Sequence, residues 1–211
     1  MSPLMGEVER AVARVEQASV LDPLSGLLGI GVGQAIPPGR IRETLRGAQL
    51  GHPLHPLVTD IPIGFLTTAS VLDLVGPRTA TSSQRFVGLG LLSALPTIAA
   101  GLADWSALRT DRQRRVGVVH AGANVLGLAF YLSSYRARRR NRWFKGAAMS
   151  VVGMTTMTAG GYLGGHLIFR QAANVEVPAP RELSYDPLLD SADAGPMLTV
   201  TIDDELRVSD K

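Results

Sequence analysis

The chain contains no cysteine. That excludes disulfides, thiolate metal sites, iron–sulfur clusters and cysteine nucleophiles. It also lacks a recognisable signal peptide. The first twenty residues mix Glu7, Glu9 and Glu16 with Arg10 and Arg14 and hold no continuous apolar run. A membrane protein of this kind is expected to insert through its own first spanning helix. No serine–histidine–acid triad, nucleotide motif or zinc-protease spacing occurs, so nothing marks the chain as an enzyme. The run Gly29-Ile30-Gly31-Val32-Gly33 has neither the Lys-Ser/Thr ending nor the preceding strand of a phosphate loop.

The 211 residues leave room for one domain plus tails. The net charge is +3, but the arginines sit beside apolar segments. Anionic lipid head groups are therefore the expected partners, and nucleic acid is not.

Apolar residues collect in four long stretches with the charges between them. They predict membrane-spanning helices over about 56–75, 86–105, 116–135 and 146–169. Pro56 suits a first helical turn, Gly76-Pro77 ends the first span, and Pro96 is expected to kink the second. The fourth span is rich in small residues, including Gly153, Gly160, Gly161, Gly164 and Gly165, which let a neighbouring helix approach. They could serve packing within the bundle or in a homo-oligomer. The loop at 136–145 is strongly basic, with Trp143 and Phe144 at interface depth. Its arginines read as phosphate anchors, Asp73 as an interface residue and Trp105 as an interface anchor.

Residues 1–50 form an interfacial N-terminal region. Val8, Val12 and Val15 lie on one face of an amphipathic helix over 4–20. Residues 24–36 are apolar but too short to span. A short helix is expected over 40–50. The transmembrane domain is 51–170. The tail, 171–211, is polar and acidic and expected to be mostly extended, with a loose alternation from Met197 to Val208 that would suit a hairpin. The fold class is thus an all-α membrane protein: a four-helix transmembrane bundle with interfacial N-terminal helices.

Alternating helix directions put the start of spans one and three and the end of spans two and four on the same membrane face. All four histidines fall there: His52, His55, His120 and His166, with Asp60 and Asp104. An ionisable residue inside a membrane helix usually faces a partner or a cavity. The expected cofactor-binding set is His55, His120, His166, Asp60 and Asp104, with His52, His55, His120 and His166 as metal ligands. Imidazole with carboxylate suits a transition-metal ion, and two imidazoles from facing helices suit haem b. The same groups could relay protons or simply hydrogen-bond one another in a transporter-like or scaffold protein. Basic residues tie across the two faces, so the positive-inside rule decides nothing. The acidic tail favours both termini, and with them the histidine face, in the cytoplasm of a multi-pass inner-membrane protein.

The stretch Gly51-His52-Pro53-Leu54-His55-Pro56-Leu57-Val58-Thr59-Asp60-Ile61-Pro62-Ile63-Gly64 resembles a bacterial membrane family, domain-of-unknown-function family 2231. Gly101-Leu102-Ala103-Asp104-Trp105, Arg115-Val116-Gly117-Val118-Val119-His120 and Gly160-Gly161-Tyr162-Leu163-Gly164-Gly165-His166-Leu167 extend the likeness over about 45–172. The family's function is unknown. Members are often fused to a Rieske-type ferredoxin domain, so the resemblance implies an electron-transfer setting and a ferredoxin-like or other redox partner. Without cysteine this chain carries no Rieske cluster of its own.

Overall fold

The computed structural model describes residues 3–173. The proposed hairpin at 197–208 and nearly all of the 171–211 tail lie outside them. The described residues are helical, with no strand among them. In chain order the helices are α1 Pro3–Gln17, α2 Asp22–Ala35, α3 Arg40–Leu45, α4 Leu54–Val75, α5 Ala80–Trp105, α6 Asp111–Arg139 and α7 Trp143–Phe169.

Local chemistry sets the boundaries. Thr110 caps α6: its hydroxyl accepts from Gln113 N–H, and the Gln113 side chain accepts from Thr110 N–H. α4 stops at Gly76, whose φ of 111° lies in the left-handed region that favours glycine. Gly47 has a φ of 81°, and a methyl group there would collide with the His52 carbonyl. α3 is shorter than the expected 40–50 helix because the chain turns at that glycine.

Among the described residues, three segments are long and apolar enough to cross a membrane: Leu54–Val75, Pro77–Trp105 and Asp111–Arg139. α7 is 27 residues long, but its glycines and threonines dilute its hydropathy. The spanning helices extend beyond the expected apolar limits because polar turns at their ends are helical too. α2, with 14 residues, is about 21 Å long, short of a ~30 Å hydrocarbon core. It buries Ser25 and Val32 and exposes Leu24, Leu27 and Ile30.

The closest pairings are α4 with α5 and α6 with α7, forming two helical hairpins. α5 also meets α6, and α4 meets α7. Small residues permit the approach. Gly90 faces Leu66, and Gly153 faces Tyr131. Leu66, Ala69, Val87 and Tyr131 form the main buried cluster. Pro62 leaves the Val58 carbonyl without its helical donor, and the Thr97 hydroxyl donates to that oxygen from α5, at 3.2 Å.

Two expectations about the polar residues change. Asp73 is not a solitary interface residue, and Arg138 is not a lipid anchor. They form a bidentate pair across the bundle, at 2.9 and 2.5 Å, with side chains 6% and 1% exposed. Ser83 donates to Asp73, and Arg138 donates to Ser134 and Ser150. Trp105, the last residue of α5, packs against α6: a methyl group on Gly117 would meet its ring at 2.9 Å.

Removing one partner of such a pair strands a buried charge. Arg138→Ala is expected to cost about 3–5 kcal/mol, and Asp73→Ala/Arg138→Ala clearly less than either single change. Thermal unfolding in detergent measures the order; a double variant as unstable as the sum of the singles would refute it.

Candidate functional site

The six expected site residues divide into groups. His55 opens α4 and His120 lies in the third turn of α6; the bundle brings them together. Their ring centroids are 6.4 Å apart and the planes are almost perpendicular, at 87°. Each ring is held by the second helix of its own hairpin. His55 Nδ1 lies 2.9 Å from the Thr97 carbonyl of α5. His120 Nδ1 lies 2.8 Å from the Gly160 carbonyl of α7.

A carbonyl oxygen can only accept, so both Nδ1 atoms carry the proton. In the neutral ring Nε2 is then the bare nitrogen. Among the described residues neither Nε2 forms a hydrogen bond. Glycines make room for the rings. A methyl group on Gly101 would meet His55 Cε1 at 2.9 Å, and one on Gly164 would meet His120 Cε1 at 2.9 Å. The backbone behind each histidine is also clasped: Thr59 donates to the His55 carbonyl at 2.6 Å, and Asn124 to the His120 carbonyl at 2.8 Å.

His52, Asp60 and His166 form no hydrogen bond or ring contact with this pair among the described residues. His52 is exposed in the turn before α4, and Asp60 is exposed on α4. Asp104 is half-buried near the end of α5, three residues beyond Gly101, with Arg46 as a neighbouring charge. His166 joins a different cluster. Its Nε2 donates to Glu16 Oε1 at 2.7 Å, and Gln171 donates to the same oxygen at 2.6 Å. Gln113 then donates to the Gln171 carbonyl at 3.0 Å. Among the described residues no three His, Asp or Glu side chains form a group able to hold a metal ion.

Thr97, Asn124 and Glu16 are functional neighbours that sequence reasoning missed. Thr97 and Asn124 follow no motif. Glu16 carried a signal, as an acid next to the amphipathic face of α1. That helix docks on α6 with Val12 buried. Arg115 extends the docking by gripping Asp22 at 2.6 and 2.7 Å and the Glu16 carbonyl at 2.9 Å.

Three helices long and apolar enough to cross a membrane, packed with the long helix α7 around a buried charge pair, define an integral membrane protein of helical-bundle type. The chain belongs to the predicted membrane protein family DUF2231, whose profile matches residues 51–177. Neither curated proteins nor solved structures provide a match.

Burial of the Glu16 carboxyl raises its pKa, but the hydrogen bonds from His166 and Gln171 and the nearby charges of His166 and Arg112 outweigh it. The group lies below its ordinary value of 4.5. A depressed carboxylate stabilises the fold above its unfolded pKa, and that contribution disappears as pH falls through the folded value. Hydrogen-exchange protection of residues 3–17 should therefore hold from neutral pH to about 5 and decline below 4.5. Glu16→Gln should show weaker protection at neutral pH and lose this acid step; a step of unchanged size in that variant would assign it elsewhere.

Proposed function

We propose that the chain is a four-span, redox-associated membrane protein in which His55 and His120 would together hold one haem b. Four spans follow from α7 matching α6 in length and packing along it as the second half of a hairpin.

The observation that carries the haem reading is the geometry of the imidazole pair. With metal–nitrogen bonds of about 2.0 Å, two imidazoles joined through one metal have ring centroids roughly 6 Å apart. The observed separation is 6.4 Å. Perpendicular planes are compatible, because each ring can turn about its own metal–nitrogen bond. Ligating histidines commonly donate their other N–H to a backbone carbonyl, which fixes the tautomer and raises basicity. Thr97 and Gly160 accept in that way.

Ligand number separates haem from a bare ion. A zinc-type site takes three or four protein ligands, and the described residues converge only two imidazoles. Haem iron needs only axial ligands from the protein, since the macrocycle supplies the rest. When bound, haem provides a one-electron couple. The chain's own part is to present two neutral nitrogens and hold them in a low-dielectric setting. The electron partner in this reading is a ferredoxin-like or other redox protein. Anionic lipid head groups meet Arg136, Arg140, Arg142 and Lys145, which line one cleft at the α6–α7 turn.

Full-length protein purified in detergent from haem-supplied cells should show a Soret band that shifts with dithionite. His55→Ala and His120→Ala should each abolish it. His166→Ala should keep it, because His166 is committed to Glu16. A colourless wild type would sink the haem reading and leave proton relay by the same pair, and a band lost equally in His166→Ala would sink the assignment of the haem to His55 and His120.

A further inference from the structure

The two hairpins repeat each other's contacts position by position. Each residue of α4 corresponds to the one 65 positions later in α6, as His55 does to His120. Each residue of α5 corresponds to the one 63 positions later in α7, as Thr97 does to Gly160. Under those two offsets the His55–Thr97 bond maps onto the His120–Gly160 bond. Thr59, which clasps the His55 carbonyl, maps onto Asn124, which clasps that of His120.

The glycine contacts follow the same rule. Gly101 against His55 maps onto Gly164 against His120. The would-be methyl contacts agree at Cε1, 2.9 Å in both, and at Nδ1, 3.0 and 3.1 Å. Gly90 against Leu66 maps onto Gly153 against Tyr131. The Ser83 hydroxyl donates to the Ala69 carbonyl; at the matching positions the Ser134 hydroxyl donates to the Gly146 carbonyl. The same two sites are joined in both hairpins, with donor and acceptor exchanged.

On a twofold axis a residue meets its own equivalent. Here that happens at three heights. His55 meets His120, Leu66 and Tyr131 share the central cluster, and Asp73 pairs with Arg138. Between the first and last of these the helix rises about 27 Å, close to the thickness of a hydrocarbon core. α4 and α6 run in the same direction, so the axis lies along the bundle, as in parallel membrane repeats.

We infer that α4–α7 is a duplicated helical hairpin with an internal twofold axis along the membrane normal, and that the His55–His120 site is a twofold site on that axis. It would take a ligand that accepts one nitrogen from each hairpin. The ligand class rests on the haem reading; the duplication does not. Asp73 and Arg138 are where the two copies differ most in charge. Two identical halves would place like charges on the axis. The opposite charges instead commit the first hairpin to the second.

Exchange of equivalent residues tests the axis. Ser83 donates to Asp73, and its equivalent Gly146 leaves space that Arg138 fills. In wild type, Ser83→Gly/Gly146→Ser should lower the melting temperature. In the charge-exchanged protein Asp73→Arg/Arg138→Asp, the same two changes should raise it, since each charge then regains its own companion. This reversal of sign is what a merely local ion pair does not produce. A second, milder comparison covers the case in which the charge-exchanged protein does not fold. Gly101→Ala and Gly164→Ala should lower the melting temperature by matched amounts and reduce the Soret absorbance alike. No reversal of sign in folded exchange variants, or one glycine tolerant and its equivalent intolerant, would overturn the twofold assignment. Reversal or matched melting shifts in a colourless protein would retain the duplication and remove only the haem.

Discussion

How near the paired helices can come is the constraint on which the rest of the structure depends. In an apolar medium, helices associate by packing at small residues and by hydrogen bonds across the contact, because lipid tails are as apolar as leucine. Gly90, Gly101, Gly153 and Gly164 each receive a large side chain from the first helix of the same hairpin. At the histidine end this approach brings an imidazole to the backbone carbonyl of the next helix. The ring is then oriented by main chain and keeps one nitrogen lone pair unspent. A side-chain partner would have done the same only by adding another polar group to be satisfied in a low-dielectric interior.

Much of the architecture is legible in the sequence, because a bilayer turns hydropathy into geometry. The long helices, the glycine-rich seventh helix and the placement of the histidines on one face all follow from counting along alternating helices. Depth is legible in this way, but direction around each helix is not. His166 stands two residues beyond Gly164, which at 3.6 residues per turn is about 200° around α7. It shares a membrane face with His120 and still turns to Glu16 of α1. The same blindness hid Asp73 and Arg138. Each looks like a boundary residue in its own segment, and only the assembled bundle, with α4 and α6 facing each other across it, shows that they meet. α1 was visible as an amphipathic helix, but an apolar face does not name its partner.

Thr97 shows why the clasping residues left no trace in the sequence. Its hydroxyl serves the Val58 carbonyl freed by Pro62, and its own carbonyl holds His55. A proline in one helix and a threonine some thirty-five residues later become one feature only once the hairpin is formed. Backbone acceptors such as Gly160 are invisible in principle, since any residue type offers the same carbonyl.

The two polar ends of the bundle have opposite electrostatic characters, and the proposed site rests on that contrast. At one end Asp73 and Arg138 neutralise each other, and the surrounding serines complete their hydrogen bonding. Such a group is satisfied within itself and has nothing to offer a ligand. At the other end, two imidazoles bind their Nδ1 protons to main chain and form no Nε2 hydrogen bond among the described residues. Holding two bare acceptors beside each other costs free energy that an apolar pair at the same positions would not. The packing at Gly101 and Gly164 maintains that cost on both sides of the contact. A purely structural role needs only one histidine satisfied by its carbonyl; two equivalent imidazoles, each with Nε2 unspent among the described residues, suit the proposed ligand with two binding positions.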